Sequence, residues 1–401
     1  MSNLLIFNIG QLVTNDPALG GVPGAVANAG VAIVDGLVEW VGADDDVPDR
    51  YRDLPQLDAG EAAVLPGFVD PHTHLVFAGD RSEEFDRRLR GESYEQILEG
   101  GGGILSTVAE TRAASEHQLF DEAAARVWRM MANGTTTVEV KSGYGLDIET
   151  EERMLRVANQ LNEMLPMDVV PTFLGAHVLP LESRTDRNAY VELVCGSMLD
   201  ACAPLARFCD VFCDDAAFSV DEARRILEAA KSRGLDIRIH ADQLGRVGAA
   251  ALAADLSAVS ADHLDYATTE DLALMRSAGT VAVLLPAVSF SMRLPYSDGR
   301  VIWDSGVSVA LATDCNPGTA NVESMPFVIA LAVLNMGLTA DEAVWAATLG
   351  GARALGFEDR GHLVPGAIGD LVVLDAPTHL HIAYRPAADI VAAVVKRGEI
   401  L

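Results

Sequence analysis

Eight short apolar runs alternate with amphipathic helical stretches through the middle of this chain, and that alternation leaves few folds open. The runs are Leu65–His74, Thr135–Lys141, Val169–His177, Asp210–Asp214, Asp236–His240, Val259–His263, Thr280–Leu285 and Val307–Asp314. Helix-like segments such as Glu222–Arg233 and Thr268–Ala278 lie between them. Eight strand–helix units predict an α/β fold, a TIM-like (β/α)8 barrel over residues 65–359. A doubly wound open sheet is the competing arrangement, but no G-x-G-x-x-G follows a strand to serve one.

The two ends of the chain read differently. Val31–Val41 carries apolar runs on either side of Asp35-Gly36, a strong hairpin signal. Gly369–Asp375 and Ile390–Val395 are also strand-like. Chain termini often lie close in space, so residues 1–64 and 360–401 are expected to build one small β-sandwich domain together.

Of the nine histidines, His72, His74, His177, His240 and His263 fall at the C-terminal ends of predicted strands, and Asp314 ends the eighth. In a barrel those ends converge on one face, where catalytic groups gather. His72 and His74 stand two apart in Asp70-Pro-His-Thr-His74, so both point to the same side of an extended chain and can reach one ion. Taken alone, an H-x-H pair is usually two ordinary polar residues. His240 and Asp314 at matching strand ends supply a third and fourth ligand and change that balance. Nitrogen donors with a carboxylate suit zinc or iron. Asp70 has two open readings: an acceptor orienting a ligand histidine, or a turn residue before Pro71.

The chain holds 58 acidic and 29 basic residues, a net charge of −29, which disfavours phosphate backbones and anionic lipid as partners. The opening MSNLLIFNIGQLVTNDP lacks the pattern of a signal peptide, and the apolar stretch near Phe327–Leu334 is too short to span a bilayer. Five cysteines without disulfide-framework spacing point to a reducing, cytoplasmic setting. Cys195, Cys202, Cys209 and Cys213 lack paired C-x-x-C spacing and read as buried small apolar residues. Cys315 sits beside Asp314.

Leu65-Pro-Gly-Phe-Val-Asp-Pro-His-Thr-His74 resembles the strand-one signature of the amidohydrolase superfamily, with His240, His263 and Asp314 at its strand-five, strand-six and strand-eight positions. Gly361–Gly366 followed by Gly369–Asp375 is similar to the superfamily's C-terminal return. Phe77–Phe85, Gly101–Ile104, Lys141–Leu146, Pro171–His177, His240–Gln243 and Thr313–Thr319 narrow the resemblance to the imidazolonepropionase family.

That resemblance implies hydrolysis of 4-imidazolone-5-propanoate to N-formimidoyl-L-glutamate, with one divalent ion, zinc or iron, held by His72, His74, His240 and Asp314. It implies proton handling by Asp314 or a neighbour, with His263 orienting water or polarising the carbonyl; a hydrogen-bonded structural histidine is the plainer reading of His263. Arg81 matches the family contact to the propanoate tail, and a guanidinium grips a carboxylate well. Without the flanking motif, Arg81 among Arg87, Arg88 and Arg90 would read as solvated surface. Tyr144 and His177 match contacts to the ring, and Asn316, Gly318 and Thr319 match contacts to substrate or product. Gln243 stands where some relatives carry Glu. A carboxamide does not exchange protons at neutral pH, so Gln243 would act as donor and acceptor only. A homodimer is expected on the same ground.

Superfamily members with two metals use a modified lysine on strand four, and Asp210–Asp214 has none, so one metal is expected. Lys141, ending strand two, reads as a structural charge or one behind the ligands. Gly100–Gly103 lacks the G-K-[ST] ending of a phosphate loop and reads as a mobile loop over the pocket mouth or a plain connection. Two other functions stay in view. A nucleobase deaminase would share the strand ligands without needing a cation at Arg81. A non-catalytic scaffold should have lost metal ligands, which this chain retains.

Overall fold

The computed structural model describes residues 2–19, 21–92 and 102–401. The chain begins with β1 (Leu4–Val13), β2 (Ala25–Val34), β3 (Leu37–Ala43), β4 (Gln56–Asp58) and β5 (Ala63–Pro66). The turn at Asp35-Gly36 joins β2 to β3 as the sequence signalled. Both residues have positive φ, 51° and 83°, as a tight two-residue hairpin loop requires.

The next eight strands are β6 (Phe68–Asp70), β7 (Thr135–Lys141), β8 (Asp168–Ala176), β9 (Phe208–Cys213), β10 (Asp236–Ala241), β11 (Ser260–His263), β12 (Val281–Leu284) and β13 (Val309–Leu311). Each pairs in parallel with the next, in sequence order. The ends meet just past the strands, where Asp314 N–H donates to His72 C=O at 3.1 Å and His74 N–H to Cys315 C=O at 2.9 Å. The (β/α)8 barrel therefore closes at the rim that carries the histidines. These strands are buried on both sides, which is why they read as continuous apolar runs.

The outer helices follow the apolar spacing. Val220–Lys231 buries Ala223, Ile226, Leu227 and Ala230, and Ser219 with Glu222 forms a capping box at its start. Thr269–Ala278 begins at a second capping box, Thr268 with Asp271. The apolar stretch near Phe327 lies in the helix Met325–Met336. Among the described residues no helix is long and apolar enough to cross a membrane.

The chain ends in β14 (Leu371–Leu374), β15 (Val391–Lys396) and β16 (Glu399–Ile400). They join β1–β5 in one sheet, ordered β16-β15-β14-β5-β1-β2-β3, with β4 paired to β1. One expectation changes here. The run Leu65–His74 is not a single strand: it divides at Gly67, with β5 in the terminal sheet and β6 in the barrel wall. A β-carbon at Gly67 would lie 2.3 Å from Thr136 Oγ1, so only glycine lets the chain pass that close to β7. Lys396 ties the two sheets, its ammonium donating to Asp370 (2.6 Å), Asp168 (2.9 Å) and the Thr136 carbonyl (3.0 Å).

Candidate active site

His72 and His74 follow β6, and His240 lies near the end of β10. One ring nitrogen from each lies within 4.8 Å of the others, and all three side chains are buried. Asp314, just past β13, brings Oδ1 to 3.5 Å from His72 Nε2 and 3.4 Å from His74 Nε2. His263 completes the cluster, its ring 5.3 Å from that of His240 and 5.5 Å from that of His72. Five residues from four of the strand ends thus converge, as their placement in the sequence predicted.

The donors fit a divalent ion. His72 Nδ1 is taken by Asp262 at 2.6 Å, while its Nε2 is buried without a hydrogen-bond partner among the described residues. Such an orphan is costly unless a cation or water meets it. Burial opposes charge on Asp314, but His72 and His74 outweigh it and hold the carboxyl well below the ordinary carboxylate range. Burial pushes His74 down to about 4 and holds His177 and His263 well below the usual histidine value, so these three rings are neutral at pH 7. Neutral imidazole is the form that ligates metal.

Two site residues occupy left-handed backbone that side chains avoid: His263 at φ 77° and Asp314 at φ 50°. Each costs of order 1–3 kcal/mol and is a mark of functional sites. Asp242, at φ 50°, is held by its own bonds, since its carboxylate accepts from the amides of Val247, Gly248, Ala249 and Ala250. That fixes the turn leading away from His240. Gln243, in the same turn, is half-buried, and its carboxamide makes no hydrogen bond to the described residues.

Beneath the ligands lies a tier of fully buried charge. Lys141 Nζ sits 2.8 Å from Glu139 Oε1 and 2.8 Å from Asp210 Oδ2, and Asp210 Oδ2 is 3.0 Å from His240 Nδ1. Arg238 donates to Asp262 at 3.0 Å, and Ser260 to the same carboxylate at 2.6 Å. Burial works against Asp262 and Asp210, but cationic neighbours keep both well below the ordinary range. The sequence reading found Lys141 as a charge behind the ligands and missed Asp262, Asp210, Glu139 and Arg238. The available signal was charge interrupting otherwise apolar strands. Asp70 touches His72 only through the backbone, its Oδ1 lying 3.5 Å from His72 N. Its carboxylate accepts from Thr313 N (3.1 Å) and Thr313 Oγ1 (2.6 Å), stapling β6 to the end of β13.

Around this centre, Tyr144 and His177 are buried after β7 and β8. Their rings are 5.4 Å apart, and His177 stacks on His74 at 5.1 Å. Arg81 opens the helix Ser82–Leu89, with Nε donating to Glu84 at 3.1 Å and Nη2 bound to the same carboxylate. One edge of the guanidinium is therefore occupied by Glu84. The remaining nitrogen, Nη1, lies against Gly318, where a β-carbon would come within 2.2 Å of it. Glu84 also accepts from Gly103 N–H at 2.7 Å. Gly100 and Gly101 of the glycine run lie outside the described residues. Asn316 shapes the loop that holds Gly318: Oδ1 accepts from Gly318 N and Thr319 N, each at 2.8 Å, and Nδ2 donates to Asp314 O and Thr319 Oγ1.

Comparison with known proteins agrees with this geometry. A model of the amidohydrolase family matches residues 87–401. The imidazolonepropionase of Mycolicibacterium smegmatis is 50% identical over 402 residues, covering 100% of this chain and 98% of that protein. The imidazolonepropionase of Streptomyces coelicolor is 50% identical over 399 residues, covering 99% and 98%. Among solved structures, a triazine hydrolase variant superposes with a TM-score of 0.75 at 18% identity, covering 100% of this chain and 94% of that one. A zinc-bound adenosine deaminase from Xanthomonas campestris gives 0.73 at 20%, covering 100% and 92%. These two share the fold.

Proposed function

The chain belongs to the amidohydrolase family and, within it, groups with the imidazolonepropionases, hydrolases of carbon–nitrogen bonds; on that premise we propose that it opens the ring of 4-imidazolone-5-propanoate to give N-formimidoyl-L-glutamate. The observation that carries the proposal is the buried group of His72, His74 and His240 with Asp314 beside it, while Gly318, four residues past Asp314, lies against the guanidinium of Arg81.

His72, His74, His240 and Asp314 are proposed to hold one divalent ion, zinc or iron. When bound, such an ion lowers the pKa of water toward ~7 and polarises a carbonyl. Glu139, Asp210, Asp262 and Asp314 are faced among the described residues by Lys141, Arg238 and the site histidines, a carboxylate-rich surrounding that suits a divalent cation, and β9 carries no lysine that would bridge a second one.

In the proposed reaction, water adds to the ring carbonyl carbon, the ring C–N bond breaks, and a proton passes to the departing nitrogen. Asp314, ionised by its surroundings, takes the proton from the attacking water. His263, neutral and with a buried Nδ1 that has no hydrogen-bond partner among the described residues, orients water or the carbonyl. Gln243 offers a donor and an acceptor to the ring without exchanging protons. Arg81 faces the propanoate with its Nη1 side. Tyr144 and His177 bond the ring edge, and the loop of Asn316, Gly318 and Thr319 borders the bound molecule. We further expect a homodimer in a reducing, cytoplasmic setting, consistent with five cysteines free of disulfides.

The deciding experiment is turnover of imidazolonepropanoate by the purified protein, with its metal content measured and His72→Ala alongside. Turnover with about one equivalent of zinc or iron, both lost in the variant, is expected. Activity only on aminated nucleobases, or full activity in metal-free His72→Ala, would overturn the proposal.

A further inference from the structure

Glu151 lies in the helix Ile148–Met164, fully buried, and none of the chemistry above uses it. Its carboxylate does not face a cation. It is surrounded by the donors of the loop that follows β7. Gly143 N–H donates to it at 3.0 Å, and Gly145 N–H and Leu146 N–H each donate at 2.8 Å, with the Ser142 hydroxyl adding a fourth. Tyr144 is therefore bracketed by two residues whose amides point at one carboxylate. The same loop is gripped from outside, where Arg112 Nε donates to Gly145 C=O at 2.6 Å. Leu146 sits at φ 56°, a conformation that such bonds must hold in place.

Gly143 passes this order on to His177. Its carbonyl is 3.0 Å from His177 Nδ1. A carbonyl only accepts, so Nδ1 carries the proton and Nε2 is left as a bare acceptor. A β-carbon at Gly143 would lie 3.0 Å from that nitrogen, so the approach needs glycine. One residue thus couples Glu151, through its N–H, to the tautomer of His177, through its C=O.

We infer that Glu151 is a positioning residue: it holds the 142–146 loop so that Tyr144 and the Nε2 of His177 meet the substrate ring in fixed geometry. The inference rests on the proposed reading of Tyr144 and His177 as ring contacts. Glu151 touches no substrate itself.

Glu151→Gln keeps the size and turns an all-acceptor group into one whose NH2 confronts backbone N–H. Metal content is expected to stay at the native level. KM for imidazolonepropanoate should rise about tenfold while kcat moves less than about threefold. The amides of residues 143, 145 and 146 should exchange faster with solvent. In a Tyr144→Phe background the KM effect should shrink, because both changes act on one contact. KM within about twofold of native, effects that multiply independently, or unaltered amide exchange would overturn the inference. If Glu151→Gln does not fold, Arg112→Gln releases the same loop from its outer side and is read by the same cycle. Failure of the native protein to turn over imidazolonepropanoate would count against the substrate reading, and amide exchange would still decide the role of Glu151 in the loop.

Discussion

The Nδ1 of His72 lies 2.6 Å from Oδ2 of Asp262, and both side chains are wholly shielded from solvent. The contact fixes the tautomer that leaves Nε2 free to meet the proposed ion, and it would strengthen that nitrogen as a donor. Asp262→Asn retains an oxygen for the imidazole and removes the charge. Metal affinity should fall about 10–100-fold, measured by chelator competition. Thermal stability should fall too, because Arg238 loses its partner in the interior. Native metal affinity in the variant would mean that the pair only packs the barrel.

Arg81 and Gly318 form a second testable pair. Arg81→Ala should raise KM about 30–100-fold with little change in kcat, the cost of about 2–3 kcal/mol for a lost charge-assisted contact. Gly318→Ala should move KM the same way by less, since its new carbon would displace Nη1 of the guanidinium. Steady-state kinetics check both, and unchanged KM in Arg81→Ala would exclude a propanoate contact.

Gln243 is proposed as a neutral contact to the ring. Gln243→Glu should keep the full metal content by elemental analysis and fall no more than about tenfold in kcat, since the new carboxylate can itself accept a proton. Loss of the ion in this variant would place residue 243 in the metal shell instead.

Asp265, two residues past His263, is raised by burial to about 7 against a weaker opposing bond from Ser297. The folded chain thus keeps this proton where the unfolded chain, with a value near ~3.9, releases it. The sign follows: stability is complete below about pH 4 and declines as pH rises toward about 7. Asp265→Asn should therefore gain stability over the native protein between pH 5 and pH 8 by on the order of 2 kcal/mol, read from urea midpoints. A pH-independent difference would refute the assignment.

Much of this architecture was legible because parallel barrel strands are apolar on both faces and announce themselves as uninterrupted runs. Thr135–Lys141 has the bounds the sequence suggested. The convergence of the histidines with Asp314 was legible because polar residues at the ends of such runs have few other reasons to recur. Their supports were less so. Asp210 and Asp262 follow no local motif, and their cationic and histidine partners come from other strands, across gaps that only folding closes. Asp70 reaches Thr313, 243 residues away, a partner that no local reading of it could supply. Glu151 looked like one more acid on an amphipathic helix, although it sits on the helix's buried face.

The short strand Ala63–Pro66 deserves a last consequence. It pairs Val64 with Leu12 on one side and with Val373 on the other, and it leads directly into the wall that carries His72 and His74. One of its neighbours is thus drawn from far along the chain, beyond the whole barrel. Contacts so distant in sequence form late and slowly. A nascent chain halted before Leu371 then lacks the partner that flanks the strand leading to His72 and His74.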